Sequence, residues 1–154
     1  MVIVFKLLLP REAASVPIVR KLCRGSFGSL GIEDECSHDL ELVVTEACTN
    51  VLKHASGKDE YEVQLCLSPE SCEIQVKDTG RGFDHQAHGR VEPHSTAEGG
   101  RGIHLMRVLV DRLQFVSADS GTMVSLHKTL RLREDSPLRL VMGTTSPLAA
   151  TPYT

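Results

Sequence analysis

A chain of 154 residues with 41% hydrophobic and 24% charged side chains has the make-up of one globular domain large enough to enclose its own core. The formal net charge is −3 and Lys and Arg are scattered, so no basic stripe is offered to nucleic acid; aromatics at 4% and no tryptophan leave no stacking platform for bases. Cys23, Cys36, Cys48, Cys66 and Cys72 form no CxxC pair and read as reduced, mostly core thiols, while the opening run MVIVFKLLLP is too short for a signal-peptide core or a bilayer span. A cytoplasmic protein that binds neither nucleic acid nor membrane is the expectation.

In chain order, residues 2–9 read as a β-branched-rich strand stopped by Pro10. Ser15 is placed to cap a helix, with Pro17 tolerated in its first turn. Ile18, Leu22 and Ser26/Phe27 follow at helical spacing, which predicts an amphipathic helix over residues 16–29 ended by Gly28 and Gly31. A second helix is expected from residues 32–35 to His54 or Ala55, stopped by Ser56-Gly57.

Residues 60–67 alternate, with Tyr61, Val63, Leu65 and Leu67 on one side. Pro69-Glu70-Ser71 turns the chain, and Cys72, Ile74, Val76 and Asp78 alternate back as an antiparallel partner. The polar stretch that follows, up to Gly100, is long for a connection inside one domain, and such loops are usually functional or disordered. A third helix is predicted over residues 101–111, with Ile103, Leu105/Met106, Leu109 and Val110 inward. A second hairpin spans residues 113–118 and 122–130 around Asp119-Ser120-Gly121.

From Arg131 periodicity fades, so residues 134–154 are read as a poorly structured tail beside a domain of residues 1–133. The expected class is α+β: a two-layer α/β sandwich with a mixed or mostly antiparallel sheet of about five strands and three helices on one face. The opposite sheet face is open or covered by a partner.

Three segments carry chemistry. LELVVTEACTNVLKHA, residues 40–55, sets Glu46 and Asn50 four positions apart on an otherwise apolar helix side flanked by Val43, Ala47 and Val51. DTGRGF, residues 78–83, leaves a strand. Its Asp78 can accept a hydrogen bond from an exocyclic amine, while Gly80 and Gly82 let a ligand approach the backbone. GGRGIHL, residues 99–105, opens a helix whose unpaired N–H groups suit phosphate oxygens. Asn50 can then offer its oxygen to Mg²⁺ on those phosphates, with Lys53 and Arg101 as basic contacts. Taken singly, a DxGxG is more often a turn and a polar pair on a helix is more often a solvated face. The order of the three segments points to an adenine nucleotide pocket.

That order, TEACTN, DTGRGF and GGRGIHL followed by SADSGT, resembles the Bergerat (GHKL) nucleotide-binding fold over roughly residues 5–130. Gyrase, Hsp90 chaperones, sensor histidine kinases and MutL share that fold. The short length and the TEAxTNxxKHA form are most similar to the SpoIIAB/RsbW-type anti-sigma factor serine/threonine kinases. The resemblance implies that Glu46 is the general base and Asn50 the Mg²⁺ ligand. It implies that Asp78 reads the adenine amino group, with Gly80 and Gly82 shaping its pocket and Thr122 bonding nearby through water. Residues 84–98 would be the ATP lid, and Gly100 and Gly102 would frame the phosphates. Its implied partners are a sigma factor, a serine-bearing antagonist and a second copy of the chain in a homodimer. A competing reading keeps ATP but makes the protein a catalytically weak adaptor that switches partners.

Two apparent signals are set aside. Ser37-His38-Asp39-Leu40 resembles the phosphoacceptor box of sensor kinases, but His38 shares a helix with Glu46 and leaves no room for a separate dimerisation domain. His85, His88 and His94 are irregularly spaced with no cysteine beside them, which suits a polar loop better than zinc. Arg101, standing between Gly100 and Gly102, departs from the small residues that would ease phosphate approach.

Overall fold

The computed structural model describes residues 1–54, 60–78, 100–118 and 121–142. Its elements are β1 (Ile3–Pro10), α1 (Ser15–Ser29), α2 (Asp34–His54), β2 (Glu60–Leu67) and β3 (Ser71–Asp78), then α3 (Gly100–Leu109), β4 (Arg112–Ala118), β5 (Gly121–Thr129) and α4 (Pro137–Met142). The five strands form one sheet in the order β1-β2-β3-β5-β4, and every neighbouring pair is antiparallel.

Alternation along the strands sends one set of side chains under the helices. Register aligns Val63, Val76, Val124 and Phe115 in one row, and Leu65, Ile74 and Leu126 in the next, all buried. Helix α2 lies over β3 and β5 and buries Cys36, Leu40, Val43, Val44, Ala47, Cys48 and Val51, a run at three- and four-residue intervals. The opposite sheet face carries Gln64, Gln75, Lys77 and Ser125, partly exposed and polar. The expected two-layer α+β architecture is therefore present, with a wholly antiparallel sheet.

The first helix buries Phe27 as its spacing suggested but turns the expected Ile18 and Leu22 outward. Ser15, Val19, Cys23 and Phe27 are buried, whereas Ile18 and Leu22 stay 53% and 50% exposed. Both rows advance by four residues, so periodicity alone does not choose between them. The row ending in Phe27 is the one that packs against α2. Ser15 is not a cap either: Ala14 holds that position without a side-chain bond. The Ser15 hydroxyl donates to the Glu12 carbonyl at 2.7 Å and shares a hydrogen bond with the Tyr61 hydroxyl beneath the helix. Glu41 on α2 is buried beside α1, where the hydrogen-bonded Arg24 guanidinium holds its carboxyl below the usual carboxylate range.

A fourth helix occupies residues that the fading periodicity assigned to a tail. The segment before it bridges Leu132 to Ile32, and Ser136 donates to the Leu30 carbonyl at 2.6 Å. Leu138 is fully buried. Gly31, at φ +76°, permits this contact, since a Cβ there would lie 2.6 Å from Ser136 Cα. Its local sequence is too short to show a helical period, and one buried leucine does the anchoring. Residues 143–154 lie outside the described residues. A free tail would make Leu138 dispensable. We expect Leu138→Ala to lower the unfolding free energy by about 2–5 kcal/mol in urea titration.

Candidate active site

Three elements converge on one end of the α-helical layer. Helix α2 contributes Glu46 and Asn50, both partly buried between Val43, Ala47 and Val51, which are fully buried. One helical turn separates the two side chains, so both leave the same face. Beside them begins α3. A Cβ built on Gly102 would collide with Glu46 Oε2, so the Glu46 carboxylate rests directly on the backbone of the first turn of α3. A side chain at residue 102 would displace that carboxylate from its present position. The N–H groups of this turn have no partner within the helix and carry its partial positive charge.

The third contribution is Asp78, the last residue of β3, which is 2% exposed. Its Oδ1 has no hydrogen-bond partner among the described residues. A buried carboxylate oxygen left in that state carries a desolvation cost and calls for a donor from a bound molecule. Tyr61 pairs with Asp78 across β2 and β3, and burial pushes its hydroxyl up to about 12, so it remains protonated at neutral pH. On the other side Gly121, at φ +146°, presses its backbone on Asp78: a Cβ there would lie 3.3 Å from the Asp78 carbonyl oxygen. The pairing of Lys77 with Met123, continued by one residue, sets Thr122 opposite Asp78.

The structure thus brings Glu46 against Gly102 in the first turn of α3, with Asn50 one turn along α2, and sets Asp78 at the end of β3 against Gly121, the residue before Thr122. Lys53 and Arg101 are exposed near the end of α2 and in the first turn of α3. Gly80, Gly82 and the expected lid at residues 84–98 lie outside the described residues, as do Arg81, His85, His88, His94 and the His54 side chain. Sequence reasoning read Gly121 only as the end of a turn and missed its contact with Asp78. The signal available was a glycine placed directly before Thr122 at the start of a strand.

Two features fit a magnesium-bound nucleoside triphosphate. The unpartnered Asp78 oxygen suits an exocyclic amine, and the first turn of α3, with glycine at residues 100 and 102, suits phosphate oxygens. No group of three metal-ligating His, Cys, Asp or Glu side chains occurs among the described residues. Phosphate-bound Mg²⁺ does not require one, because it keeps several waters and takes few protein oxygens, a part that Asn50 can fill.

Residues 9–128 match the histidine kinase-like ATPase domain family. The chain is 36% identical over 135 residues to the serine-protein kinase RsbW of Bacillus pumilus (strain SAFR-032), which covers 79% of this chain and 83% of that protein. It is 34% identical over 132 residues to the serine-protein kinase RsbW of Bacillus licheniformis, covering 79% and 82%. A crystal structure of the RsbU and RsbW domains of a Mycobacterium tuberculosis protein aligns with a TM-score of 0.64 at 16% identity, over 84% of this chain and 33% of that one, which speaks to the fold. The family match and the sequence relatives agree: the chain belongs to the histidine kinase-like ATPase domain family, among its RsbW-type serine-protein kinases.

Proposed function

We propose that the protein is an ATP- and Mg²⁺-dependent protein serine kinase of the cytoplasm. In this reading it acts as an anti-sigma factor that sequesters a sigma factor and phosphorylates a serine of the antagonist. The observation that supports this most directly is the Glu46 carboxylate seated against the first turn of α3, with Asn50 one turn away on the same helix face. A site needed only to hold nucleotide has no use for a carboxylate beside the phosphate end, which favours the kinase over the adaptor reading.

In the proposed reaction Asp78 accepts a hydrogen bond from the adenine amine, and Thr122 bonds nearby through water. Gly80 and Gly82 shape the adenine pocket. The N–H groups around Gly100 and Gly102, with Arg101 and Lys53, receive phosphate oxygens. Glu46 takes the proton of the antagonist's serine as its oxygen bonds to the γ-phosphorus and the bond to the β–γ bridging oxygen breaks, releasing ADP. Mg²⁺ held by Asn50 would neutralise charge on the phosphates. A homodimer is supported by β1, an edge strand whose outward Val4 and Leu8 are exposed.

Calorimetric titration with ATP and Mg²⁺ checks the pocket. Asp78→Asn should weaken binding by about 30- to 100-fold while leaving the unliganded protein at least as stable, because it removes an unpaired buried charge. Transfer of labelled phosphate to a serine-bearing antagonist checks the chemistry. Glu46→Gln should slow it by roughly 10²- to 10⁴-fold with ATP binding retained, and unchanged transfer would reject Glu46 as the base. Capture of a sigma factor on the ATP-loaded protein checks the anti-sigma role. Its absence, with kinase activity intact, would leave a kinase of some other pathway.

A further inference from the structure

Lys128 on β5 faces the helical layer with its side chain only 16% exposed, and the nucleotide reading assigns it no part. Its ammonium donates to the carbonyl oxygen of Leu109, the last residue of α3, at 2.6 Å, and stands 3.7 Å from Asp39 Oδ2 on α2. Two more bonds close the same corner. The Asp111 N–H donates to the His127 carbonyl at 2.9 Å, and the Thr129 N–H donates to Asp111 Oδ2 at 2.6 Å. That bond from Thr129, helped by the nearby Lys128 charge, holds the Asp111 carboxyl below its ordinary range. The C-terminal ends of α3 and β5 are thereby locked to each other and to α2.

The opposite ends of these two elements form the site. Helix α3 spans ten residues, about 15 Å, from Leu109 back to the turn that meets Glu46. Strand β5 runs roughly 20 Å from Lys128 back to Thr122, beside Asp78. Sideways, α3 is held by the buried Met106 and by Ile103 and Leu109, which are partly buried against the core. Apolar packing of this kind is non-directional, whereas an ammonium on the terminal carbonyl opposes sliding along the helix axis directly and complements the helix dipole.

We propose that Lys128 is a positioning residue, which through Leu109 and Asp39 sets the phosphate end of the site in register with its adenine end. This rests on the nucleotide reading above. A purely stabilising role would affect folding and ATP affinity only together, and the following test separates the two.

The full-length protein is titrated with ATP and Mg²⁺ and melted without ligand, as wild type and as Lys128→Met, Lys128→Arg, Asp39→Asn and Glu41→Gln. The last variant breaks the α1–α2 ion pair away from the site and serves as the stability control. Lys128→Met should weaken ATP roughly tenfold and Asp39→Asn by less, Lys128→Arg should recover most of the affinity, and Glu41→Gln should bind as wild type despite its lower melting temperature. Wild-type affinity in Lys128→Met, or losses of affinity that simply follow melting temperature across all variants, would overturn the proposal. If Lys128→Met does not fold, Asp39→Asn decides in the same way: weakened binding supports the clamp and unchanged binding overturns it. Failure of the wild type to bind ATP would instead remove the nucleotide reading, and the clamp with it.

Discussion

The contact between the Glu46 carboxylate and the backbone at Gly102 governs the arrangement of this protein. Two helices that start far apart in sequence meet there through the Glu46 carboxylate, which occupies the space a side chain at residue 102 would take. Such proximity needs a firm base beneath it, and α2 provides one by burying seven residues from Cys36 to Val51 on β3 and β5. The sheet under α2 is antiparallel throughout, so the rows Val63–Val76–Val124–Phe115 and Leu65–Ile74–Leu126 present a continuous apolar floor. The position of Glu46 is consequently set by packing that extends across the whole domain.

The site is also where the molecule departs from good packing practice. Asp78 keeps a buried oxygen without a partner among the described residues, and its neighbours do nothing to relieve it: Tyr61 bonds to Ser15, and Gly121 brings only backbone. Glu41 and Ser136 are paired, with Arg24 and with the Leu30 carbonyl, whereas His127 Nδ1 also has no hydrogen-bond partner among the described residues and Glu62 Oε1 is met only by the charges of Lys6 and Lys77. What distinguishes Asp78 is that its unpartnered oxygen belongs to a carboxyl group only 2% exposed, at the end of a strand, where it can accept a donor from a bound molecule. The corner built from Lys128, Asp39 and Asp111 shows the reverse, a dense set of bonds far from the chemistry that joins the elements on which the chemistry depends.

Much of this was legible in the chain. Alternation in residues 60–78 specified both strands and which side chains lie inward, because a period of two leaves only two faces. The four-residue interval placed Glu46 and Asn50 together, and the glycine of GGRGIHL announced a helix start able to meet them. Three things were not legible. The core face of α1 was read correctly only at Phe27 because two rows share its four-residue interval, and α4 was missed because a single leucine cannot display a period. The contact of Gly121 with Asp78 joins residues 43 positions apart across a sheet, and no local pattern reports it.

Sequence alone therefore determined the elements up to β5, the candidate residues for the chemistry and the family to which the chain belongs, since periodicity, residue type and motif order are local properties. The tertiary structure decided which face of α1 enters the core, that Leu138 closes the fold, and that Asp78 is left unpartnered in the described chain. It also decided that Glu46 touches Gly102 and that Lys128 ties α3 to β5. These depend on the relative placement of distant segments, which is set by the shared core they bury rather than by any one stretch of chain.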